Sequence, residues 1–183
     1  MKNIFLIILL NTTISCTAQI YSLRTFTDIP ENAYEKDISN ELPAYEGIWK
    51  GVWGNKTIFI NFKKITNKYD QHFKYYRDYL IGKFKVLDSN GNLLFDNTNL
   101  TDDKAKIYGS GFRKTDDKYS LIYIDNDLCF TSGNIRINFT DSTKTKLNWN
   151  LYLDSNMITD ECPYYNTVPF PEALPKEILL TKQ

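Results

Sequence analysis

Histidine occurs once in these 183 residues, methionine twice and cysteine three times, and neither sign of charge is in excess, with 22 Lys and Arg against 22 Asp and Glu. Each shortage removes a class of chemistry. The lone His72 stands in the polar run Lys68-Tyr69-Asp70-Gln71-His72-Phe73-Lys74, which reads as a solvated linker between strands rather than as a catalytic setting. A structural zinc wants about four ligands at short internal spacings, and Cys129 and Cys162 lie too far apart, with only one histidine in the chain, to supply them. Gly-x-Ser-x-Gly, Gly-x-Gly-x-x-Gly and phosphate-loop patterns are missing, so the usual nucleophile and nucleotide sites lose their backbone requirements. Balanced charge leaves no basic face to draw the chain toward nucleic acid. The expectation is a protein that is not an enzyme and holds no cofactor or metal.

Aromatic residues, by contrast, are abundant at 15%, whereas disordered chains are poor in them. A chain of this length buries roughly 70% of the surface it exposes when unfolded, enough for one self-supporting domain.

The first residues read as an address. Lys2 precedes the apolar run Ile4 to Leu10, too short for the roughly 20 residues of a membrane-spanning helix but suited to a secretory signal. Two cleavage sites remain open. Cys16 after small Ser15 resembles a lipoprotein signal, with residues 1–15 removed and lipid attached at Cys16; Ala18-Gln19 offers ordinary release. Acyl chains on Cys16 would tie the protein to a membrane. Localisation is therefore expected to be exported, as an outer-membrane-associated lipoprotein or as a periplasmic or secreted protein. Cys129 and Cys162 are the only other cysteines, an even count for an oxidising compartment, and are expected to form one disulfide.

After an irregular arm over residues 16–45, period-two patterning dominates residues 46–183. Gly47 to Trp53 and Lys56 to Ile65 flank Gly54-Asn55, a tight hairpin signal, and Ile58, Ile60 and Phe62 fall on one face. Tyr76 to Leu87 turns at Asp88 to Asn92 into Leu93 to Asp96, and Lys106 to Arg113 turns at Thr115 to Lys118 into Tyr119 to Ile124. Ile135, Ile137 and Phe139, then Leu147, Trp149, Leu151 and Leu153, alternate with polar residues, and Ile178 to Thr181 follows a segment holding Pro169, Pro171 and Pro175. The only helical candidate, Pro30 to Asn40, reads equally well as extended. Eight to nine antiparallel strands predict an all-β fold, an up-and-down barrel of the lipocalin-like (calycin) type or, alternatively, a β-sandwich. Gly47-Ile48-Trp49 resembles the opening motif of lipocalin-like barrels, in which the tryptophan plugs the closed end.

Neighbouring carboxylates at Asp102-Asp103, Asp116-Asp117, Asp125 with Asp127, and Asp160-Glu161 sit in turns, where acids usually cap backbone groups instead of facing each other across a substrate. Tyr75, Tyr76 and Tyr79 cluster near one connection, and Tyr164 and Tyr165 follow Cys162. These are the candidate partner-binding residues, since exposed tyrosines stack on sugars or line a barrel mouth.

Asp28 to Asp37, Asn40-Glu41-Leu42, Gly47 to Gly51, Tyr75-Tyr76-Arg77-Asp78 and the ending Ile178 to Gln183 resemble, over nearly the whole chain, a family of exported Bacteroidota proteins, domain of unknown function 6705. The resemblance implies a small secreted or lipid-anchored bacterial protein and carries over no catalytic residues. Two functions follow. The first is a non-enzymatic interaction module of the cell envelope meeting an unknown protein or glycan; the second is a lipocalin-like carrier of a small apolar ligand. Bulky inward residues such as Trp49, Phe62, Phe139, Trp149 and Leu151 favour the first, because an eight-stranded barrel is only just wide enough for side chains.

Overall fold

The computed structural model describes residues 19–155 and 158–183. The segment expected to be a signal and Cys16, the expected site of lipid attachment, lie outside the described residues. The described residues form eleven strands: β1 (Ile20–Ser22), β2 (Tyr34–Lys36), β3 (Gly47–Trp53), β4 (Lys56–Asp70), β5 (Tyr75–Leu87), β6 (Leu93–Asp96), β7 (Ile107–Phe112), β8 (Tyr119–Asp125), β9 (Thr131–Phe139), β10 (Lys146–Leu153) and β11 (Glu177–Lys182). Short 3-10 turns at Leu42–Ala44, Asp102–Lys104 and Asn126–Leu128 are the only helical pieces among the described residues.

Eight strands close into a barrel in the order β5-β4-β3-β11-β10-β9-β8-β7 and back to β5, each pair antiparallel. This is the up-and-down barrel that the alternation predicts, and the sandwich is set aside. Alternation also aims the side chains correctly. Ile58, Ile60 and Phe62 of β4, Ile135 and Ile137 of β9, and Leu147, Trp149 and Leu151 of β10 are buried inside. The interior is solid, filled by Trp49, Trp149, Tyr119, Tyr123, Phe62 and Phe84, all fully buried. Leu153 keeps the same face in an unbroken register but is 43% exposed, because it stands at the barrel rim.

One end of the barrel is plugged. Trp49 donates from Nε1 to the Tyr45 carbonyl at 2.7 Å, Tyr45 stacks on Phe139 with ring centres 4.3 Å apart, and the Lys182 ammonium lies 5.4 Å over the Trp49 ring. Gly47 has φ +107°, which lets the chain turn into β3 where a Cβ would be strained.

β5 organises the remainder. β4 pairs along nearly its whole length, while its other edge is shared by β2 at Tyr76 and Arg77, by β7 at Ile81 and Gly82, and by β6 at Lys85 to Leu87. The segment expected to be an irregular arm therefore joins the sheet: β1 pairs parallel with β2, and β2 parallel with β5. Burial explains the difference, since Leu23, Ala33 and Leu42 pack away from water and tie three-residue strands down that local patterning cannot reveal. Pro30 to Asn40 forms no helix.

Together β1, β2 and the outer ends of β5 and β4 make a flap beyond the plugged end. At its base two β4 residues, Thr66 and Asn67, bulge opposite the single Asp78. The Asp78 carboxylate fills the gap, accepting from the Asn67 amide at 2.9 Å, the Asp37 amide at 3.0 Å and the Tyr34 hydroxyl at 2.6 Å. The extra residue also reverses the β4 alternation, so that Tyr69 shares a face with Tyr76.

Candidate functional site

Opposite the plug, the barrel mouth is crossed by residues 158–176, whose prolines keep the segment out of the sheet. Three ties hold it down. Cys129 and Cys162 are disulfide-bonded with Cα atoms 5.6 Å apart, Trp149 Nε1 donates to the Pro175 carbonyl at 2.9 Å, and the Leu151 amide donates to the Lys176 carbonyl at 2.6 Å. Ala173 and Leu174 are buried under it.

Between crossing and rim lies a cleft of about 330 Å³. Leu128, Leu151, Leu153, Ile158, Phe170 and Leu174 supply most of its wall, with Asp154, Glu172 and Lys176 at its border. Its volume is at the low end for a small-molecule site. Tyr123 at its floor donates to Asp125 Oδ2 at 3.0 Å, and burial beside that carboxylate holds the phenol far above its ordinary pKa. Asp125 in turn accepts from Lys106 Nζ at 2.5 Å. Apolar side chains dominate the wall of the cleft, and Asp154, Glu172 and Lys176 add charge to it. Patterning misses it because three separate stretches of chain build it, among them the one with the turn at Asn126–Leu128 that leads into left-handed Cys129 and Phe130.

The predicted tyrosines separate into two groups. Tyr164 packs edge-on to Phe170 at 6.0 Å, and Tyr165, 54% exposed, follows it at the mouth. Tyr75, Tyr76 and Tyr79 lie toward the flap, within the first five residues of β5. Tyr75 stacks on Phe73 at 5.5 Å, and Tyr76 meets Tyr69 edge-on at 5.1 Å. Tyr79 instead walls a small polar hollow of about 130 Å³ at the barrel seam, together with Arg77, Asp70, Asp102 and Tyr108.

That hollow contains a buried charged group to which sequence reasoning gave no role. Arg77 is 3% exposed although it sits on the outer face of β5. Its Nε lies 3.4 Å from Glu35 Oε2 and its Nη1 3.6 Å from Asp70 Oδ2, while Nη2 donates to the Ser110 carbonyl at 3.1 Å. The Phe73 and Tyr79 rings flank the guanidinium at 5.1 and 5.7 Å. Burial raises the Glu35 carboxyl above its ordinary pKa, and Arg77 opposes that rise. The cluster clamps β2 onto β5. Its only signal in sequence is a pair of charges, Arg77-Asp78, inside an otherwise aromatic and apolar run.

His72 belongs to the hairpin tip, its amide donating to Asp70 Oδ1 at 2.9 Å. The strands beside it are longer than patterning suggests, and the polar linker divides between the end of β4, Lys68 to Asp70, and the turn Gln71 to Lys74. The neighbouring carboxylates are engaged with cations: Asp102 with Lys63 and Lys83, Asp116 with Arg113, Asp117 with Arg24, and Asp125 and Asp127 together with Lys106. Asp88 accepts from the amides of Asn90 and Asn92, as a hairpin turn requires. Among the described residues no group of three His, Cys, Asp or Glu is placed to hold a metal ion, and no helix is long and apolar enough to cross a membrane.

No curated protein and no solved structure matches the chain. A family model does, over residues 1–183, and the chain belongs to that family of unknown function, DUF6705.

Proposed function

We propose that the protein is a non-enzymatic interaction module, exported to the cell envelope or secreted, that meets its partner with its outer surfaces. The solid barrel carries this reading. Two tryptophans, two tyrosines and two phenylalanines occupy the space a carrier would leave for its cargo. Exposed aromatic side chains stand instead at both ends of the outer surface, at the flap with Tyr69, Phe73 and Tyr76 between 37% and 44% exposed, and at the mouth with Phe130, Tyr152 and Tyr165 between 49% and 70% exposed. Tyrosine suits a contact surface, since it offers a large rigid ring and a hydroxyl at small entropic cost.

Photo-crosslinking in expressing cells tests the reading, with a photoreactive amino acid placed at Tyr76 and, separately, at Tyr165. A discrete adduct at either position is the expected result. Absence of adducts at both, with one small molecule retained in native mass spectrometry, would replace the module with a carrier.

The apolar cleft favours a second reading, in which a small apolar ligand binds at the mouth under the disulfide-tied crossing. Leu151→Trp would fill that cleft and abolish retention of such a ligand while leaving crosslinks at Tyr76 intact.

A further inference from the structure

We infer that the flap is a membrane-facing surface: the β4–β5 hairpin tip and the strand-end row beside it rest in the headgroup region of a lipid bilayer. The inference deepens the interaction-module reading by naming the partner of one surface.

The register builds the row. Ile20 of β1 lies beside Tyr34 of β2, Tyr34 beside Tyr76 of β5, and Tyr76 beside Tyr69 of β4. The β4 bulge places Tyr69 on this face; without it Lys68 would stand there. Ile20 is 54% exposed and Phe73, at the hairpin tip, 44%. Side chains with an apolar body and a polar end belong at a membrane interface, where rings sit among headgroups and hydroxyls stay wet.

Chain connectivity selects the bilayer over another protein. The described chain starts at Gln19, one residue before the row. Cys16 precedes it by three residues, a span of at most roughly 11 Å. A lipid on Cys16 would therefore bring this surface, and not the mouth, against the membrane. Charge plays a small part, because Lys74 is paired with Glu31 at 2.9 Å and Asp70 lies beside it. Contact is then carried by the rings, and salt should weaken it little. The cleft and the disulfide, at the far end of β5, point away from the membrane.

The test uses the exported, processed protein with vesicles of phosphatidylethanolamine and phosphatidylglycerol at 3:1, some carrying brominated acyl chains. Phe73→Trp adds a reporter at the tip and Tyr165→Trp one at the mouth. The added emission of Phe73→Trp should shift blue and be quenched at least threefold more than that of Tyr165→Trp. Replacing Tyr69 and Tyr76 by Ser should remove the difference. Equal quenching at both reporters, quenching at the mouth alone, or none at either overturns the inference. Protein crosslinks at Tyr76 together with an unquenched tip would leave the interaction module standing and transfer the flap to a protein partner.

Discussion

Trp149 and Asn148 are adjacent in β10 yet belong to opposite faces of the wall, and this contrast is measurable. Trp149→Ala removes a fully buried ring whose Nε1 holds the crossing, and should cost about 3–5 kcal/mol in urea unfolding. Asn148→Ala on the outer face should cost less than about 1 kcal/mol. A glycine shows the reverse constraint. A Cβ on Gly109 would lie 2.2 Å from the Tyr119 hydroxyl, and that buried ring is fixed because its hydroxyl accepts from the Leu80 amide at 3.2 Å. Gly109→Ala should therefore destabilise by about 1–3 kcal/mol through overpacking. At the β9–β10 turn, hydroxyls of Thr143 and Thr145 and nearby amides hold the Asp141 carboxyl well below the usual carboxylate range. A depressed acid stabilises the fold above its unfolded pKa, and that contribution is lost as pH falls toward the folded value. Unfolding midpoints of wild type and Asp141→Asn should thus differ at pH 7 and converge below about pH 4.

At the scale of elements, the crossing and the flap both depend on ties from outside themselves. The crossing has almost no backbone pairing of its own, so the Cys129–Cys162 bridge limits its freedom in the unfolded chain. By loop-closure entropy the bridge should contribute roughly 3–4 kcal/mol. Reduction, or Cys129→Ser with Cys162→Ser, should lower stability by about that much and expose residues 158–176 to limited proteolysis before the strands. The flap depends on Arg77. With Arg77→Ala, Glu35 is left buried without its cation and β2 loses its anchor. Amides of β1 and β2 should then exchange quickly while the β3–β4 hairpin stays protected.

For the whole molecule, the ring has two thin joints, each with two paired positions: β3–β11, at Lys50 and Trp49, and the β5–β7 closure. The ring is shut only by Ile81 opposite Tyr108 and Gly82 opposite Ile107, because β2 and β6 occupy the rest of that edge of β5. Subglobal opening should begin there, and hydrogen exchange should find the Ile107 and Tyr108 amides less protected than those of Ile58 and Ile60 in the β4–β5 pair. Equal protection would mean that the solid interior, rather than the seam, sets the opening free energy.

Alternation of apolar and polar side chains, with turn residues between, determined the barrel strands and their inward faces, because a strand's period of two is a local property that a half-buried wall imposes on its own sequence. Gly54-Asn55, Asp88 to Asn92 and Thr115 to Lys118 marked hairpins for the same local reason. The cysteine pairing was legible from count alone. Nothing local marks β1 or β2, whose three residues each are held by Leu23, Leu42, Asp78 and the Arg77–Glu35 contact. Nor does the sequence place Tyr69 beside Tyr76, since without the β4 bulge Lys68 would pair with Tyr76. The mouth cleft and the separation of the tyrosines into two poles were likewise decided only in three dimensions, where segments distant along the chain meet around one core.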